Sequence, residues 1–201
     1  MVFHRFRIVF VGIPKTGTSS IYDTWRTNGD GEHHHLSITE IYARSGYENI
    51  KDYYTFAILR NPYDRFVSMA HQYFRDKNGD PTTDANKVAT YIAGKSPYEL
   101  RAFNEMFVPQ WKFLTDEHGS LLVKNFWLFE RLEETYAIFA KKENQSRPTQ
   151  LQMPKTLAFS NNSPARRGKS WSQEINHDTI EIINNLYAKD FELFGFKMIT
   201  P

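Results

Sequence analysis

Phe10 to Ser20 reads FVGIPKTGTSS, and this stretch decides the fold class. The apolar run Ile8-Val9-Phe10-Val11 leads into Gly12, a short loop, Gly17 and then a Thr-Ser-Ser start to a helical pattern. Strand, glycine-bearing loop and helix N-terminus in that order make a ready anion site. Backbone N–H groups without intrahelical acceptors and the positive end of the helix dipole meet there. Lys15 adds a full positive charge inside the loop, and Thr16, Thr18 and Ser19 add hydroxyl donors. The stretch reads as a cradle for a phosphate or sulfate group.

The loop that binds nucleoside triphosphates carries its Lys immediately after the second glycine. Gly12 and Gly17 have the matching separation, but Thr18 stands where that Lys belongs and the lysine sits inside the loop, after Pro14. ATP chemistry also calls for a carboxylate that holds Mg²⁺ on the phosphates, and no such site is evident. A kinase using ATP and Mg²⁺ is therefore the alternative, not the first reading. A non-catalytic relative that binds a nucleotide or glycan is the other.

Pro14 to Ser20, PKTGTSS, resembles the 5′-phosphosulfate loop of the sulfotransferase family, especially its carbohydrate sulfotransferase branch. Members of that family take 3′-phosphoadenosine 5′-phosphosulfate (PAPS) as donor. Leu59 to Ser68, LRNPYDRFVS, resembles the family's 3′-phosphate motif, and Tyr187 to Phe196, YAKDFELFGF, is similar to its C-terminal end. The likeness is strongest over residues 7–75. It implies an α/β fold in three layers, a parallel sheet flanked by helices as in the P-loop nucleotide kinases. It also implies a single sulfotransferase domain over 1–201. Pro14, Lys15, Thr16, Gly17, Thr18 and Ser19 would hold the 5′-phosphosulfate, and Arg60 and Ser68 the 3′-phosphate. The sulfuryl group would pass directly to an acceptor hydroxyl, on a carbohydrate, with no metal.

Composition bounds the alternatives. The chain has 201 residues, enough for one domain with a sizeable core. A net charge of +2 gives no support for general nucleic-acid binding, so an anion site has to be local. With no cysteine there is no disulfide and no thiolate chemistry. No apolar stretch approaches the roughly 20 residues that span a bilayer. The opening MVFHRFRIVF alternates Arg and His with apolar residues, which predicts a first strand and not a signal peptide. A soluble, cytoplasmic protein is the expectation.

Ile21, Tyr22 and Trp25 have helical spacing, predicting a first helix over 18–26. Ser37 and Glu40 have capping-box spacing, so a short helix should start at Ser37, with His33, His34 and His35 on the loop ahead of it. Removal of a proton from an acceptor hydroxyl near neutral pH suits His. In the related carbohydrate sulfotransferases a His or Glu ahead of such a helix is the base. The register H-L-S-I-T-E-I resembles that pattern best with His35 as the base, to act with Lys15 of the loop as the other catalytic residue; Glu32, His33 and His34 stay open for the base.

A strand over 54–59 runs into Arg60, where ligands of open α/β sheets bind and where a guanidinium can grip a phosphate. A helix over 63–75 should follow, with Ser68 able to offer its hydroxyl to the same phosphate. Arg65 falls on another part of that helix and reads as a surface salt-bridge residue. Further helices are predicted over 85–93 and 97–113, the second with an aromatic surface that reads as core. Gln110, Lys112 and His118 are candidate acceptor contacts. A strand over 121–129, a helix over 130–142 and a final helix over 177–189 complete the pattern. Arg166, Arg167 and Gly168 lie in a polar, basic loop, similar in character to the Arg-Lys-Gly loop of cytosolic sulfotransferases, and are candidates for closing over the donor nucleotide.

Overall fold

The computed structural model describes residues 1–26, 35–78, 84–158 and 170–200. Its contacts group into two compact units, Met1–Leu59 with Phe113–Asn162, and Arg60–Lys112 with Ser163–Pro201.

The first unit carries the sheet. Strands β1 (Val2–Phe3), β2 (Ile8–Val11), β3 (Tyr54–Leu59) and β4 (Asn125–Leu128) lie side by side in chain order. β2, β3 and β4 are parallel, with Phe10 opposite Phe56 and Ala57 opposite Phe126. β1 runs antiparallel to β2, so the sheet is mixed and not wholly parallel as expected. The opening segment is accordingly two strands instead of one. Arg7 takes a positive φ of 57°, and a turn through His4 and Arg5 folds the chain back, with those polar residues in solvent. The fourth strand is shorter than the predicted 121–129. Asp116 Oδ1 accepts from the N–H groups of His118 and Ser120, closing a turn that pairs Leu121 with Thr115 before the strand begins.

Helices of this unit are α1 (Thr18–Trp25), α2 (Ile38–Ser45), α3 (Tyr47–Ile50) and, later in the chain, α8 (Leu132–Ser146). Ile8, Phe10, Phe56, Ile58 and Trp127 point from one sheet face into a core closed by Ile21 and Trp25 of α1 and Leu132, Tyr136 and Ala140 of α8. Trp25 is its hub: rings of Phe3, Phe56 and Tyr136 lie 5.4, 6.0 and 5.8 Å from its own. The opposite face, Val9, Val11, Ala57 and Leu59, is buried as well. Burial on both faces is why these strands read as continuous apolar runs.

The second unit contains α4 (Pro62–Asn78), α5 (Ala85–Ile92), α6 (Pro97–Phe103), α9 (His177–Leu186) and α10 (Ala188–Phe194); the unit boundary falls inside α7 (Trp111–Leu114). Asn61 caps α4 by accepting the Tyr63 N–H at 3.0 Å, which leaves Pro62 at the first helical position. The predicted helix over 97–113 is broken. Asn104 is extended and its side chain accepts from Met106 N–H to start a 3₁₀ turn, and Pro109 cannot supply a helical N–H. Phe103 and Phe107 nevertheless pack on Tyr73, as an aromatic core should.

Candidate functional site

Gly12 follows β2 directly, and the loop to α1 is shaped by its own hydroxyls. Thr16 Oγ1 and Thr18 Oγ1 both donate to the Ile13 carbonyl, at 3.0 and 2.7 Å. These two side chains, 0 and 4% exposed, therefore brace the loop and do not point hydrogens outward as expected. Gly17 closes the loop in the left-handed region, φ 87°, and a Cβ there would come within 2.7 Å of Leu132 Cδ2. A side chain at Gly12 would come within 2.7 Å of Thr18 Cγ2. Lys15 also has a positive φ, 67°, which a lysine adopts only when its surroundings fix it there.

The N-terminus of α1 has neither a side-chain cap nor an acidic residue in its first turn. α2 and α6, by contrast, begin with full capping boxes, Ser37 with Glu40 and Ser96 with Glu99. No acidic residue of its own first turn offsets the positive end of the helix that follows the glycine loop and its lysine.

His35 stands just ahead of α2, and its Nδ1 donates to the Gly12 carbonyl at 2.7 Å. A carbonyl only accepts, so Nδ1 carries the hydrogen and Nε2 is the basic nitrogen of the neutral ring. The capping box fixes the helix behind it: Ser37 Oγ accepts from the Glu40 N–H, while Glu40 Oε2 accepts the Ser37 N–H at 2.7 Å. The imidazole ring is therefore tied to the first residue of the glycine loop.

In the second unit, Arg60 follows β3 in the chain and is 8% exposed. Its Nε donates to Asp64 Oδ2 at 2.6 Å in a largely buried ion pair. Ser68 is half-buried on α4, one turn beyond Asp64 on the same side. Arg65 overturns its reading as a surface residue: it is 1% exposed and donates to the Met106 and Val108 carbonyls at 2.9 and 3.0 Å. Gln110 is no acceptor contact either; it is fully buried with its amide on the Arg60 backbone. Lys112 lies over the Trp111 ring at 4.2 Å, and His118 is an exposed turn residue. Glu32, His33, His34, Arg166, Arg167 and Gly168 lie outside the described residues.

A family model described as the sulfotransferase family matches residues 1–197. This chain belongs to the sulfotransferase family. No curated protein and no solved structure gives a match. Sulfuryl transfer to an acceptor hydroxyl is thus the general activity of the family to which the loop and helix N-terminus belong. Among the described residues of this sulfotransferase, no group of three or more His, Asp or Glu is placed to hold a metal ion. No described helix is long and apolar enough to cross a membrane.

Asp190 is the residue to which sequence reasoning gave no role. It is wholly buried and accepts from the N–H groups of Gln110 and Trp111, at 2.9 and 2.8 Å. A signal was present: Tyr187, Asp190 and Phe191 share a helical face, and a carboxylate between two aromatics must be buried and paired.

Proposed function

We propose that this sulfotransferase moves the sulfuryl group of PAPS onto a carbohydrate hydroxyl by direct in-line transfer, in a single domain over residues 1–201. The observation that supports it best is the pairing of His35 Nδ1 with the carbonyl of Gly12. That bond keeps a basic Nε2 beside a lysine-bearing loop and a helix whose first turn has no acidic residue. The donor set fits a phosphosulfate: backbone N–H groups, one ammonium and a helix dipole recognise a compact dianion.

When bound, the donor supplies an activated sulfuryl group, whose S–O bond to phosphate breaks as the acceptor oxygen bonds to sulfur. Lys15, with Pro14, Thr16, Gly17, Thr18 and Ser19 around it, holds the 5′ end and stabilises charge on the leaving phosphate. Arg60 and Ser68 hold the 3′-phosphate and so separate this donor from ATP. His35 Nε2 takes the acceptor proton. Arg166, Arg167 and Gly168, outside the described residues, are assigned to nucleotide binding in this reading. No covalent enzyme intermediate and no metal is needed.

Calorimetric titration with adenosine 3′,5′-bisphosphate, against ATP with Mg²⁺, tests the donor. Tight, metal-independent binding of the bisphosphate that is lost in Arg60→Ala is the expected result. Preference for ATP with Mg²⁺ would move the protein to the kinases. Bisphosphate binding without sulfation of any member of an oligosaccharide panel would leave it a binding protein.

A further inference from the structure

The buried polar groups of the second unit converge on one stretch of chain, Met106 to Trp111. One Nη nitrogen of Arg65 holds two of its carbonyls, those of Met106 and Val108. The Tyr187 hydroxyl donates to a third, Phe107, at 2.9 Å. The Asp190 carboxylate holds the N–H groups of Gln110 and Trp111 from the other side. Every one of these bonds is to backbone, so together they fix the path of the segment and not merely its side chains.

What the segment presents is the amide of Gln110. Its Oε1 accepts the Arg60 N–H at 3.0 Å, and its Nε2 donates to the Arg60 carbonyl at 3.0 Å. This is the pair of bonds that a neighbouring strand would give, delivered by one side chain to one residue past the end of β3. The amide can do it because it carries one donor and one acceptor side by side. Arg60 is thereby held at its backbone by Gln110 and at its guanidinium by Asp64.

We propose that Gln110 and Asp190 are positioning residues for the donor's 3′-phosphate, Asp190 fixing Gln110 and Gln110 fixing the backbone of Arg60. The proposal rests on the donor reading above, in which Arg60 meets that phosphate. It gives a role to a residue of the closing segment, 130 positions from the arginine it serves.

The test compares calorimetric affinities for adenosine 3′,5′-bisphosphate and for adenosine 5′-monophosphate, which lacks the 3′-phosphate. Wild type should prefer the bisphosphate. Gln110→Met keeps the volume but loses both bonds, and should cut bisphosphate affinity about tenfold while monophosphate affinity stays within about twofold. Asp190→Asn, which loses one of two accepting oxygens, should show a smaller loss, about threefold. In an Arg60→Ala background, Gln110→Met should cost nothing further, because its effect runs through Arg60. A residue that serves only stability would lower both affinities together. Equal losses for the two ligands, an unchanged preference in Gln110→Met, or a further loss in the double variant would each overturn the positioning role alone. Wild type without any preference for the bisphosphate would overturn the donor reading, and the role with it.

Discussion

His35 Nδ1 and the carbonyl oxygen of Gly12 lie 2.7 Å apart, joining the residue ahead of α2 to the first residue after β2. The bond sets the tautomer and separates the nitrogen that holds the loop from the one proposed as the base. Asn has a donor near the position of Nδ1 and nothing at Nε2. His35→Asn should therefore keep the loop and the affinity for adenosine 3′,5′-bisphosphate, yet lower turnover by roughly 10²–10⁴-fold, the usual range for a lost general base. Single-turnover sulfation with labelled donor measures it. Turnover near the wild-type rate would reduce His35 to a brace for the loop.

Lys15 and Arg7 are the two non-glycine residues with positive φ among those described, at 67° and 57°. The left-handed conformation costs a side chain about 1 kcal/mol, part of which a glycine would return. At Arg7, in the turn between β1 and β2, Arg7→Gly should hold or slightly raise stability and leave turnover unchanged. Lys15→Gly should likewise hold stability, but turnover should fall sharply. Thermal unfolding and rate measurements on the pair separate strain kept for the reaction from strain in a turn. Normal turnover in Lys15→Gly would remove this lysine from the mechanism.

Tyr136 closes the core of the first unit with a single hydroxyl. It accepts from Trp25 Nε1 at 3.1 Å and donates to the Pro154 carbonyl at 2.7 Å. Tyr136→Phe strands a buried donor and a carbonyl at once, for a cost of about 1–3 kcal/mol. Denaturant titration should show a lower midpoint at unchanged slope. An unshifted midpoint would mean that both groups find other partners.

Asp190 gives the protein a pH dependence of unusual sign. Burial pushes its carboxyl from 3.8 up to about 6, outweighing Arg65 and the two backbone N–H groups that pull it down. A value higher in the folded than in the unfolded chain favours the protonated folded state. Its contribution is present in full below 3.8 and is lost as pH rises through about 6. Wild type should therefore lose stability relative to Asp190→Asn between about pH 4 and 6, and the difference should be flat above that. Unfolding curves for both proteins across that window give the slope. A difference that grows in the opposite direction would mean that Arg65 dominates the carboxylate's surroundings.

Local patterns proved legible because local bonds enforce them. Ser37 and Glu40 cap α2 reciprocally, as their spacing predicted, and Tyr54–Leu59 is a strand with the bounds read from its apolar run. Gly12, Lys15 and Gly17 fall on a loop between strand and helix for the same reason. Arg65 was misread because helical periodicity gives the side of a helix a residue is on, but not what packs there. Here two carbonyls 41 and 43 positions away in sequence make a buried guanidinium tolerable. The helix over 97–113 failed on Asn104 and Pro109, breakers whose signal was in the sequence and was outvoted by aromatic spacing.

The sequence by itself determined the family, the glycine loop between strand and helix, the helix behind it and most element bounds, since each depends on backbone conformations and bonds within a few residues. Tertiary structure decided the rest. The antiparallel β1 depends on a turn that one left-handed residue closes. The tautomer of the His35 ring is set by a carbonyl 23 positions earlier, and the backbone of Arg60 is held by an amide 50 positions later. Such bonds leave no periodicity in the chain, because what makes them favourable is the burial of both partners, and burial exists only once the chain has folded.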